Sequence, residues 1–155
     1  MRGSQSGTTT VEFAIIGTVL MVVVFAVIEF GRALYTYNVL TEAARRGARM
    51  AAVCPVGDPK PASVAIFDSG NGTSSVVPGL TTANVSIQYL DSGGNTIANP
   101  SANFPNIRYV QASIVGFSMQ LYIPVYSPTL NFPAFTATLP RESLGIPRVG
   151  VVTAC

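Results

Sequence analysis

From Phe13 to Ile28 no side chain carries a charge, and counted from Thr8 the apolar run reaches about 21 residues, a helix of roughly 31 Å. That matches one bilayer core. Beyond it the pattern turns from continuous to periodic: Ala33, Tyr37, Leu40, Ala44, Ala48 and Ala51 recur at steps of three and four as one narrow apolar stripe. Glu42, Arg45, Arg46 and Arg49 take another face, with Glu42 four residues ahead of Arg46 in the orientation that favours an ion pair. No proline follows until Pro55, so the pattern predicts one helix from about Thr8 to Val53. Residues 8–30 form its membrane half and 31–54 its exposed amphipathic half.

After the helix the period drops to two. In "ANVSIQYLD" (83–91) Val85, Ile87 and Tyr89 alternate with Asn84, Ser86 and Gln88, and "SGG" offers a turn into "NTIAN", which predicts a hairpin. "IRYVQASIVGFSMQLYIPVY" (107–126) is the longest strand-like stretch, with Gly116 as a bulge or bend, and "AFTATLPRES" (134–143) gives a further strand ending at Pro140. Residues 55–82, with "PVGDPKPAS" and "SGNGTSS", read as an irregular loop, and 83–155 as a β-rich domain. An antiparallel sheet of this size needs a cover for its apolar face, and the Ala-rich half of the helix supplies one. The expected class is α+β, a long N-terminal helix whose second half packs on a small antiparallel sheet.

Composition narrows the chemistry. Of 155 residues only 10 % are charged and the mean hydropathy is +0.43, carried mostly by residues 13–28. The absence of histidine excludes imidazole catalysis and histidine-ligated metals, and two cysteines alone do not make a zinc set. A hydrolase would need a lysine base, yet the single lysine, Lys60, lies in a proline-rich loop, and no phosphate-cradling glycine motif follows a strand. The sequence therefore predicts neither an enzyme nor a cofactor site. From Pro55 onward Lys60, Arg108, Arg141 and Arg148 balance Asp58, Asp68, Asp91 and Glu142, so the body lacks the basic surface that nucleic acid requires.

The apolar run admits three readings: a membrane span, a cleaved secretory signal, or a buried core helix. A secretory signal would end in a small-residue cleavage site, whereas this run passes straight into Glu29-Phe30-Gly31-Arg32. A body this small has little core to enclose a helix that is apolar all round. Within the run's flanks, Glu12 either snorkels to the headgroups and favours the positive end of the helix dipole, or meets a charged partner. Glu29, three residues before Arg32, reads as an interfacial ion pair on one helix face. Ala14, Gly17, Ala26 and Gly31 would permit close helix contacts.

Upstream, "MRGSQSG" is a hydrophilic leader ending in Gly7, with Glu12 the fifth residue after that glycine. The arrangement resembles the class III signal peptide of type IV pilins, cut after the glycine by a prepilin peptidase. The stretch "VEFAIIGTVLMVVVFAVIEFGRALYTYNVLTEAARRGARMAAV" resembles the N-terminal helix of the TadE-like family, on its paired Glu-Phe motifs, Gly-Arg and Ala-Ala-Arg-x-Gly-Ala-Arg. Many members carry a proline in mid-run where this sequence has Gly17-Thr18. The resemblance covers residues 7–53 and implies a minor pilin or pseudopilin of a tight-adherence (Flp, type IVb) pilus. It implies a leader at 1–7, processing between Gly7 and Thr8, and a pilin-like fold. Glu12 would meet the new amino terminus, Thr8, of a neighbouring subunit as a registration device. The implied partners are other pilin subunits through the helix, the prepilin peptidase, the inner-membrane assembly platform and membrane lipid. The implied location is the inner membrane with an extracytoplasmic body, then the pilus at the cell surface.

Charge distribution argues the other way on orientation. Arg2 stands alone before the run, whereas Arg32, Arg45, Arg46 and Arg49 follow it, so positive-inside counting favours a cytoplasmic body. A body rich in Ser, Thr, Asn, Gly and Pro, together with Cys54 and Cys155, favours the exterior. A disulfide between these two cysteines would close a loop of roughly 100 residues and persist only outside the cytoplasm, the alternative being two unpaired thiols. The competing function is a single-span anchored periplasmic binding or scaffold domain, neither processed nor polymerised.

Overall fold

A computed structural model describes residues 6–68, 70–124, 126–146, 151–152 and 154–155. Arg2 and most of the expected 1–7 leader lie outside the described residues. Helix α1 (Ser6–Val53) runs without interruption for 48 residues. It is followed by α2 (Lys60–Ala65), β1 (Val85–Leu90), β2 (Tyr109–Ile114), β3 (Ser118–Gln120), β4 (Thr129–Asn131) and β5 (Phe135–Pro140). The chain divides into two compact units: α1 as far as Tyr35 with Met119–Leu130, and Thr36–Ser118 with Asn131–Cys155. The class is α+β, as the two periodicities predict.

In the larger unit, β2 lies between β1 and β5 in an antiparallel sheet. The register sets Val85, Ile87 and Tyr89 opposite Ile114, Ala112 and Val110, which in turn face Phe135, Ala137 and Leu139. These nine residues share one face because strand side chains alternate. The opposite face is polar: Gln111 donates to the Thr138 hydroxyl at 3.1 Å, and the Ser113 and Thr136 hydroxyls lie 3.3 Å apart. Leu40, Ala43, Ala44, Ala48, Ala51 and Ala52 of α1 are buried in this unit, a wider stripe than the sequence predicts. Ala51 packs in one core cluster with Tyr89, Ile107, Val110 and Leu144. Tyr37, placed on the predicted stripe, stays half exposed and meets Phe135 edge-on, ring centres 4.9 Å apart. Gly47 explains how close the layers come: a Cβ there would lie 3.1 Å from that of Ala65 and 3.2 Å from that of Ala112.

The end of α1 is closed by the segment after β5. Helix ends leave carbonyls without intrahelical donors. Here the Ala52 carbonyl accepts the N–H groups of Glu142 (3.1 Å) and Leu144 (3.2 Å), and the Val53 carbonyl accepts that of Gly145 (2.6 Å) and the Ser143 hydroxyl (3.1 Å). Gly145 adopts φ +77°, and a Cβ on it would strike the Pro55 ring at 2.5 Å, so only glycine fits this approach.

Three sequence expectations meet a different structure. Residues 55–82 are not wholly irregular: they hold α2, and Pro61, Ala65, Ile66, Val77 and Leu80 are buried. Few but well-spaced apolar residues anchor the stretch, and the Asp68 carboxylate knits it locally by accepting the N–H groups of Gly70, Asn71 and Gly72. The turn at Asp91–Asn95 forms, but the segment after it makes one bridge, Leu90↔Thr96, rather than a strand, and β1 pairs with β2 instead. The long 107–126 stretch breaks at Gly116, whose φ of +66° ends β2 and starts the short sheet of β3 and β4.

Candidate membrane and assembly helix

A helix rich in Val, Ile and Phe has modest intrinsic propensity in water, but in lipid its internal hydrogen bonds are obligatory. Between Val11 and Phe30 the large apolar residues of α1, among them Phe13, Ile15, Ile16, Val19, Leu20, Val27 and Ile28, are exposed, with Val22 half-buried. Among the described residues α1 is the helix long and apolar enough to cross a membrane, and none of its most apolar window is buried. A soluble core helix would show the reverse, so the core-helix reading is set aside. The polar atoms inside the run are satisfied locally: the Thr18 hydroxyl donates to the Ala14 carbonyl at 2.8 Å.

Gly7, Thr8 and Glu12 stand on the exposed first turns of α1. One helix turn separates Thr8 from Glu12, and among the described residues no basic side chain pairs with Glu12 within the chain. At the far end of the run the charges are arranged differently. Glu29 is buried at 7 % exposure, and Arg32 donates to its Oε2 through Nε (3.1 Å) and Nη2 (2.6 Å). Arg32 Nη2 also donates to the Gln120 carbonyl, and the guanidinium lies 5.2 Å from the Tyr122 ring centre. The pair is therefore a three-way tie between one face of α1 and the chain that enters at Met119, all within the smaller unit. Sequence reasoning found Glu29 and Arg32 from their spacing; it missed Gln120 and Tyr122, for which a distant backbone carbonyl leaves no pattern.

The hairpin part of that unit is closed by Leu121 N–H to the Pro128 carbonyl and Tyr126 N–H to the Ile123 carbonyl, each 3.0 Å. Pro124 borders an apolar groove of about 590 Å³ whose other wall is α1, including Phe13, Ile16, Gly17, Leu20 and Met21.

In the larger unit Cys54 and Cys155, 101 positions apart in sequence, are joined, with Cα atoms 5.6 Å apart. Cys54 is fully buried at the end of α1. Glu42 and Arg46 lie 3.5 Å apart, and Arg46 also covers the Phe67 ring at 4.5 Å. Among the described residues no group of three or more acidic or cysteine side chains is arranged to hold a metal.

The described residues thus form an α+β chain with one exposed helix long and apolar enough to cross a membrane, followed by a small-residue stripe and a three-stranded antiparallel sheet. A family model described as TadE-like protein matches residues 7–49, which is the family that the Glu-Phe, Gly-Arg and Ala-Ala-Arg motifs resemble. No curated protein and no solved structure matches the chain.

Proposed function

We propose that this chain is a minor pilin or pseudopilin of a tight-adherence (Flp, type IVb) pilus, a structural subunit that contributes to pilus assembly and surface adherence and performs no catalysis. The observation that carries the reading is the unburied apolar helix that opens at Gly7 with Glu12 as its first carboxylate, within the 7–49 match to the TadE-like family. A carboxylate in a spanning helix is costly, on the order of 2.5 to 3.5 kcal/mol at the centre on insertion scales, and Glu12, without a basic partner among the described residues, is best explained by a partner on a neighbouring subunit. The new amino terminus at Thr8 of a neighbouring subunit supplies a charge of the right sign, and pairing in low dielectric offsets the desolvation of both. Correct helix register would thereby be favoured over every other.

An extracytoplasmic body is supported by the Cys54–Cys155 disulfide, because such bonds persist in oxidising compartments. Processing by a prepilin peptidase and delivery to the inner-membrane assembly platform complete the reading.

The test separates processing from assembly. Replacing Gly7 with a bulky residue is expected to leave the leader on and to abolish incorporation into sheared surface filaments. Glu12→Ala is expected to be cleaved normally yet to be lost from the filament fraction while accumulating in the membrane. Wild-type surface incorporation of both variants would overturn the proposal in favour of an anchored domain that never polymerises.

A further inference from the structure

Strand β5 is one edge of the three-stranded sheet. The Val115 N–H donates to the Asn84 carbonyl at 2.8 Å, and the Arg141 N–H to the Arg108 carbonyl at 2.9 Å. Bonded positions alternate along an antiparallel pair, so the register turns the backbone groups of Phe135, Ala137 and Leu139 toward β2. Those of Thr136 and Thr138 point outward, and among the described residues no backbone group meets them. The opposite edge differs: the Ile97 N–H donates to the Tyr89 carbonyl of β1 at 2.8 Å, and Thr96 bridges Leu90. Along the open edge runs a groove of about 370 Å³, lined by Thr136 to Leu139 and, from α1, by Arg45 and Arg49. Both arginines are exposed, and among the described residues neither pairs with an acidic side chain, whereas Arg46 between them lies against Glu42.

We propose that this edge receives an extended acidic segment of another protein chain, added to the sheet as a fourth strand beside β5. Open edge groups are a template for strand addition: the backbone bonds supply affinity, and alternate side chains supply specificity. Side chains of the added strand alternate between the polar face of the sheet and the face turned to α1. On the α1 side, residues two apart stand roughly 6.6 to 6.8 Å from one another, and two residues four apart on a helix, as Arg45 and Arg49 are, have Cβ atoms about 5 to 6 Å apart. Two successive acidic side chains on that face therefore meet one guanidinium each, in the forked geometry that arginine offers a carboxylate. Pro140 contributes no N–H, which ends the pairing on that side and keeps the added segment short. Charge selects against a second copy of this chain. Two β5 edges paired together would oppose their arginines, and none of the chain's seven acidic residues stands two positions from another. Every residue used here lies in the larger unit, so the inference does not depend on how the apolar part of α1 meets lipid.

Binding is read by fluorescence anisotropy on the full chain in detergent, with labelled synthetic peptides as probes. The peptide Thr-Glu-Val-Glu-Val-Thr is compared with Thr-Lys-Val-Lys-Val-Thr, and with two forms of the acidic peptide carrying backbone N-methyl groups at both glutamates or at both valines. The acidic peptide is expected to bind saturably, and the lysine peptide at least about tenfold more weakly. One N-methylated form is expected to lose binding and the other to keep it within about twofold, because only one edge of an extended segment faces β5. Arg45→Glu combined with Arg49→Glu is expected to reverse the order of the two unmethylated peptides and to leave Tm unchanged, since both side chains are exposed. Absence of saturable binding by the acidic peptide up to about 1 mM overturns the proposal. Equal binding of the acidic and lysine peptides overturns the role of the arginines. Equal effects of the two methylations, whether both forms bind or both fail, overturn strand addition. The peptide comparisons use the unaltered chain, so they decide the question even if the double variant does not fold.

Discussion

Gly47 is the residue on which the packing of α1 against the sheet most depends. A helical glycine is ordinarily about 1 kcal/mol worse than alanine, yet here a Cβ would lie 3.1 and 3.2 Å from two alanine methyl groups, so the neighbours would have to give by a few tenths of an ångström. Gly47→Val is expected to lower stability by about 1 to 3 kcal/mol, the usual range for overpacking, read as a drop in Tm. An unchanged Tm would mean that the layers separate freely. Two carboxylates act locally in the loops. Asp68 is held below the usual aspartate range chiefly by the Gly70 N–H, and Asp91 chiefly by the Asn95 N–H. Because both are lowered on folding, their contribution is present above the ordinary aspartate value of about 3.9 and is lost as pH falls below it. Tm measured against pH should therefore decline in acid, and the double change Asp68→Asn with Asp91→Asn should flatten that decline. An identical acid profile in the double variant would remove these carboxylates from the account.

At the scale of elements, what was legible had a sustained period. The helix, the Val85-Ile87-Tyr89 face of β1 and the strand ending at Pro140 each repeat over enough residues to declare themselves. Alpha2 did not, because six residues opening Lys-Pro offer no period, and its place is set by burial of Pro61 and Ala65. Nor did the course of 107–126: continuous apolar character cannot say where a chain turns, and the break is set by the backbone at Gly116. The closure of α1 was invisible for another reason, since its carbonyl partners come from residues 142–145, about 90 positions away. The disulfide reinforces this closure from the same end of the helix. Cross-linking a loop of about 100 residues is worth up to about 4.7 kcal/mol in the chain-entropy model. Cys155→Ser, or addition of reductant to the native protein, is expected to lower Tm of the body by an amount corresponding to about 2 to 4 kcal/mol. Equal melting of oxidised and reduced protein would contradict a structural role for the bond.

At the scale of the molecule the chain separates two tasks. The smaller unit presents an apolar helix whose surface is unburied, and the larger unit encloses the conventional core. The apolar helix was readable from sixteen uncharged positions and the TadE-like motifs, whereas the course of 107–126 was not, because period alone does not say what a residue faces. The central claim is that residues from Thr8 onward form a processed, assembling helix. It is tested most directly by the N-terminal sequence and intact mass of the protein recovered from its native membrane or from sheared surface material. The account predicts a chain beginning at Thr8 and carrying the Cys54–Cys155 bond. A functional chain still carrying Met1 to Gly7 would contradict it.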